Sequence, residues 1–180
     1  MAQMILLSAL IGIFSLPVQA EDKPLEPVAV VIKNAQGDQV GDLNLTQEAD
    51  GVKVVLNLTK LKPGIYAVHF HENGVCKGPD FKSAGDHFNP TKAKHGMNTP
   101  GGPHAGDMPN VEVKEQDGVG HLELVNKMVT LKPGPNSLLK TGGTSIVVHA
   151  KPDDYKTQPS GGAGDRLACG EIKSPNRVKK

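Results

Sequence analysis

The chain has no tryptophan, and only two tyrosines and four phenylalanines among 180 residues. Its core must therefore be aliphatic, built from Val, Ile and Leu. Cysteine is nearly absent too. Two thiols, Cys76 and Cys169, stand too far apart in sequence to form a thiolate zinc site, which needs closely spaced pairs. Neither sign of charge is in excess, with 20 Lys plus Arg against 19 Asp plus Glu. That balance argues against a nucleic-acid-binding or membrane-surface protein, both of which need a basic face. The one sustained apolar run, Met4 to Leu16, is too short to span a bilayer comfortably. There is no internal repeat and no amphipathic helix longer than about two turns.

The apolar run resembles part of a secretory signal peptide. Val18-Gln19-Ala20 places small residues where a signal peptidase reads, which predicts a cut after Ala20. The preceding residues carry no Lys or Arg, so the usual basic start is missing. Export to a periplasmic or extracellular space follows, with no membrane attachment after cleavage. In such a space an even pair of cysteines reads as a disulfide. A Cys76–Cys169 bridge would close a loop of nearly a hundred residues, worth about 4–5 kcal/mol in the chain-entropy model.

What is plentiful is glycine, proline and histidine: 21, 14 and 7 residues. The first two suit short strands joined by turns. Strands are predicted at 27–33, 40–45, 52–58, 65–71, 111–113, 120–124, 129–131 and 144–149, with 167–172 closing the domain. Asp50-Gly51 reads as a hairpin turn between the second and third. Two long stretches without periodicity, 72–108 and 151–166, read as functional loops. The glycine-rich run at 160–164 lacks the lysine of a phosphate loop and reads as a flexible spacer for Arg166. Residues 1–20 are assigned to the signal, 21–26 to a loose entry segment, 27–173 to one all-β domain of some eight strands, and 174–180 to a basic tail.

Five of the seven histidines lie between His69 and His104. His69 and His71 share one face of a strand, with Val68 and Phe70 on the other. In the strand ending at His149, Ile146 and Val148 face the core while Val147 and His149 face out. If the two strands are neighbours, three imidazoles converge on the outside of the domain. His87, His95, His104 and Asp107 form a second set, three nitrogens and one carboxylate, which suits a structural zinc. His121 fits neither set and reads as a surface residue.

H-F-H at 69–71, G-D-H-F-N-P at 85–90, H-A-G-D at 104–107, V-V-H-A at 147–150, Asp153 and G-D-R-L-A-C-G at 164–170 come in one order across the chain after residue 20. In that order they resemble the copper–zinc superoxide dismutases of the exported bacterial type. The resemblance implies an eight-stranded antiparallel Greek-key β-barrel or sandwich with two long functional loops. It implies one copper per chain on His69, His71, His87 and His149, and one zinc on His87, His95, His104 and Asp107. His87 would bridge the two metals and carry a proton. Asp153 would link His69 to His95, Arg166 would guide the anion, and Cys76–Cys169 would be the family disulfide. The activity implied is conversion of superoxide to dioxygen and hydrogen peroxide. An exported store or delivery protein for copper and zinc would need the same ligands but no Arg166. Departures at Met97, Gly101-Gly102-Pro103 and Lys77–Lys82 bear on the dimer interface and the charged rim, so a homodimer stays open. If Arg166 does not steer, lysines such as Lys77 or Lys151 are the alternatives.

Overall fold

The computed structural model describes residues 25–174; the expected signal peptide, residues 21–24 and the tail from 175 lie outside them. Strands β1 (Val28–Asn34), β2 (Gln39–Glu48) and β3 (Gly51–Leu58) form an antiparallel meander. β4 (Gly64–Tyr66), β5 (Val68–His71), β6 (Val111–Val113), β7 (Gly120–Asn126), β8 (Thr144–His149) and β9 (Arg166–Ile172) complete one sheet. The strand order is β4-β6-β7-β3-β2-β1-β9-β8-β5. After β3 the chain skips past β7 and β6 to reach β4, a Greek-key connection.

The two edge strands, β4 and β5, are successive pieces of chain with only Ala67 between them. The sheet therefore curls into a nearly closed barrel. Nine strands result where some eight were expected; one predicted strand splits here and another, 129–131, does not form. The predicted strand 65–71 breaks at Ala67, whose backbone bonds to Lys151 and His149 instead of continuing either ladder. One half pairs with β6 and the other with β8.

A second correction concerns 129–131. Val129 and Leu131 are buried as their apolar character requires, but no strand forms there. Thr130 pairs locally with Asn136 and Leu138, and the Gln47 side chain accepts the Leu131 amide. The segment is a buried loop returning over one end of the barrel.

Alternation fills the interior. Val28, Val30 and Ile32 of β1 point inward, as do Val54 and Leu56 of β3. The β2–β3 hairpin turns at Ala49-Asp50, and Gly51 already belongs to β3. Glycine is needed at 51 because a Cβ would run into the Asn126 backbone carbonyl on β7. β5 and β8 break the alternation, since every residue in both is buried. Their inner faces line the barrel and their outer faces lie beneath the long loops.

Candidate metal centre

β5 and β8 are antiparallel neighbours, with His69 opposite Val147 and His71 opposite Ser145. The His149 amide bonds to the Ala67 carbonyl, so all three imidazoles rise from one face. That face was expected to meet solvent. Instead His69 is 0 % exposed and His71 1 %, because the loop after β5 folds back over them. The fold-back is secured by backbone bonds: Phe88 N–H to Phe70 O, Phe70 N–H to Gly106 O and Gly106 N–H to Phe88 O. These set His87 against His71 and Asp107 against His69. Val147, also expected to face out, packs with Phe81, Ala84 and Cys169 beneath the disulfide loop.

A bulge between Val148 and His149 shifts the β8–β9 register by one residue, so that His149 pairs with Arg166. Bulges re-aim side chains in this way. Arg166 donates to the carbonyls of Phe81 and Gly85, both at 2.8 Å. Cys76 and Cys169 are joined, with Cα atoms 5.6 Å apart. The bridge anchors the loop that supplies those two carbonyls to the strand that carries Arg166.

Two groups of potential ligands result. His69, His71, His87 and His149 form one, and His87, His95, His104 and Asp107 the other; within each group the ligand atoms lie within 4.8 Å of one another. His87 belongs to both. Its Nδ1 faces Asp107 Oδ1 at 2.9 Å and His104 Nδ1 at 3.4 Å. Its Nε2 is buried without a hydrogen-bond partner, and so is His69 Nδ1. The two rings lie 4.0 Å apart. In the first group the remaining ring nitrogens are held by oxygen: His69 Nε2 by Asp153 at 2.9 Å, His71 Nδ1 by the Gly85 carbonyl at 2.9 Å and His149 Nδ1 by the Gly164 carbonyl at 3.4 Å. Each ring therefore keeps one nitrogen turned toward a common point. Orphaned buried nitrogens are destabilising unless something electron-poor meets them, and a metal ion fits.

Protonation follows the same division. Burial pushes His71 well below the ordinary imidazole range, and lowers His149 to about 3 and His87 to about 4. These rings are neutral near pH 7, as ligands must be. For His95 burial acts downward, but hydrogen bonds with Asp107 and Asp153 outweigh it and hold the ring at about 9. A cation taken by the second group displaces that proton. Burial acts to raise Asp107 and Asp153, yet their histidine partners hold both far below the usual carboxylate range. Asp153 reaches His69 through Oδ2 and His95 through Oδ1, at 2.9 and 3.0 Å, and so ties the two groups together.

The loop before Arg166 corrects the sequence reading. It is stitched in place by Ala150 to Asp165, Lys151 to Ala163 and Asp154 to Gly161 backbone bonds. Gly161 is buried, and a Cβ there would overlap Asp153 Oδ1 and come within 2.8 Å of His95 Nε2. The glycine permits close approach; it does not provide slack.

A cleft of about 670 Å³ opens over the first group, lined by His71, His87, His149 and Arg166 among others. Lys140, from the β7–β8 connection, also lines it, whereas Lys77 and Lys151 do not. Lys140 Nζ lies 5.7 Å from the centre of the Phe88 ring. No motif marks it in the sequence. The supporting residues Asn110, Tyr155 and Gln158 were missed as well, since each acts on backbone atoms of distant residues. His121 is exposed, pairs with Asn57 and lies outside both groups.

A β-barrel whose loops gather six histidines and one carboxylate into two groups sharing a single imidazole defines a dinuclear metalloprotein. The chain belongs to the copper/zinc superoxide dismutase (SODC) family, whose profile matches residues 39–172. It is 49 % identical over 144 residues to a copper–zinc superoxide dismutase of Aquifex aeolicus, covering 79 % of this chain and 85 % of that one. A copper–zinc superoxide dismutase of Caulobacter vibrioides is 46 % identical over 146 residues, covering 79 % and 83 %. Among solved structures, a double mutant of a superoxide dismutase-like protein from Bacillus subtilis superposes with a TM-score of 0.77 at 38 % identity, covering 81 % of this chain and 97 % of that one. Both substitutions in that mutant introduce histidine.

Proposed function

We propose that the protein dismutates superoxide: two superoxide anions and two protons become dioxygen and hydrogen peroxide. The observation that carries the reading is His87, which offers one nitrogen to each of two buried ligand groups. Four imidazoles suit copper, so His69, His71, His87 and His149 would hold it. Three imidazoles and a carboxylate suit zinc, so His87, His95, His104 and Asp107 would hold that ion. When bound, copper supplies the one-electron oxidation and reduction that dismutation requires, and zinc supplies a fixed positive charge.

The chain's own residues supply the rest. His87 would take up a proton at Nε2, the atom left without a protein partner, and pass it to the reduced substrate, while Nδ1 stays beside Asp107. Arg166, locked by the Phe81 and Gly85 carbonyls, presents a fixed guanidinium to a small anion entering the cleft. Asp153 orients His69 and His95, the role outer carboxylates play toward ligand histidines. The disulfide persists in an oxidising compartment, which supports export and, with Val18-Gln19-Ala20, a cut after Ala20.

Metal content per chain, measured with superoxide consumption on the same sample, tests the reading. One copper and one zinc with turnover is expected. Bound metals without turnover would select a store or delivery protein, and no stoichiometric metal would sink both.

A further inference from the structure

The segment from Tyr155 to Gln158 lies against the residues that follow His95. The Gln158 side chain accepts the His95 amide at 2.9 Å and donates to the His95 carbonyl at 2.9 Å. One exposed side chain thus takes up both backbone polar groups of a histidine that is itself 0 % exposed. Beside it, the Tyr155 carbonyl accepts Asn98 N–H at 3.2 Å and Thr99 Oγ1 at 3.4 Å. Gly96 makes this contact feasible, because a Cβ there would collide with the Tyr155 carbonyl. On the ring side, His95 uses Nδ1 toward Asp107 and Nε2 toward Asp153. Every polar atom of His95 is therefore engaged, and among the described residues Gln158 alone pairs with its backbone groups.

We infer that Gln158 is a positioning residue that latches the second long loop onto His95 and so governs how long the His87, His95, His104 and Asp107 group retains its ion. The inference rests on the assignment of zinc to that group. Nothing else among the described residues pairs with the His95 amide or carbonyl. Without the Gln158 amide, both groups are left to whatever water can enter. The ring is then positioned only through Asp107 and Asp153, because its backbone is no longer held from the loop side. Partners beyond the ligands themselves typically change metal affinity by about 10–100-fold. Among the described residues Gln158 forms no hydrogen bond with His69, His71 or His149, so retention at the first group should not follow.

The test uses the protein loaded with copper and zinc, challenged with an excess of a colorimetric zinc chelator. Gln158→Ala should release zinc about tenfold faster than wild type, with copper retained and the thermal midpoint of the metal-free chain lowered, because two buried backbone groups lose their partner. Gln158→Glu keeps the acceptor for the His95 amide and loses the donor to its carbonyl, so its release rate should fall between the two. Lys156→Ala, an exposed neighbour, should behave as wild type. Equal zinc release in wild type and Gln158→Ala overturns the latch. Parallel acceleration of zinc and copper loss overturns it too, since that reports general loosening. A wild-type chain that binds no zinc overturns the metal assignment, and the latch with it.

Discussion

His104 and His95 show how much a clustered histidine's role depends on which neighbours it shares. His104 contacts only the second group: its Nδ1 faces His87 and its amide donates to Asp107 Oδ2 at 3.0 Å. His104→Ala should therefore lose zinc first and keep copper, with the copper spectrum altered because His87 loses its neighbour. Metal analysis of the variant decides this; loss of copper with zinc retained would reverse the ligand assignment. Protons probe both groups in the metal-free chain. His87 and His149, lowered to about 4 and about 3, stay neutral in the folded state below pH 6.5, where the unfolded chain takes up protons. Stability should thus fall as pH drops from 6.5 toward 4. His95, held at about 9, keeps a proton that the unfolded chain gives up above 6.5, so stability should also fall as pH rises from 6.5 to 9. Thermal midpoints in a chelator should peak near pH 6.5, and a steady rise from 4 to 9 would contradict the assignment.

At the scale of elements, strands with one face in the barrel were legible because alternation reports them directly. Val52 to Leu58 falls where the pattern places it. The residues gathered into the two groups were legible because imidazoles in that order have few other uses. The misses share one cause. Where tertiary contacts cover the second face of a strand, period two no longer separates core from solvent, and Val147, His69 and His71 are buried on a face that reads as outer. The break at Ala67 is decided by partners far away in sequence, and the loop before Arg166 by backbone bonds no composition reveals. Gly161 makes that loop's rigidity testable. An alanine there needs a φ near 65° and drives its methyl into Asp153 and His95. Gly161→Ala should destabilise the protein by about 1–3 kcal/mol and weaken the His95–Asp153 pair. An unchanged thermal midpoint would mean the loop yields freely, as a spacer would.

The molecule as a whole is close to neutral, with a net charge of +1, so its overall field cannot draw an anion. The charges that matter are local. The cleft carries two cations, Arg166 and Lys140, and two acids, Glu72 and Asp86. Arg166 stands opposite His149 in the β8–β9 ladder and is fixed by two carbonyls; burial lowers its proton affinity, yet a guanidinium stays charged. Lys140 forms no ion pair among the described residues and lies over Phe88, the residue after His87. Steered association, of which superoxide dismutases are a known case, gains roughly 10–10³ in rate and fades as salt screens it. Arg166→Glu should cut turnover at least about tenfold with both metals and the disulfide retained, because Arg166 ligates nothing. It should also flatten or reverse the fall of rate with ionic strength. Lys140→Glu should act in the same direction more weakly, since its ammonium is not held by the carbonyls that fix Arg166. Lys151→Glu should leave the salt slope alone, as Lys151 does not line the cleft. If Arg166→Glu keeps full activity with the wild-type salt slope, the guanidinium serves only to hold the disulfide loop through Phe81 and Gly85, and the anion is drawn by Lys140 or not at all.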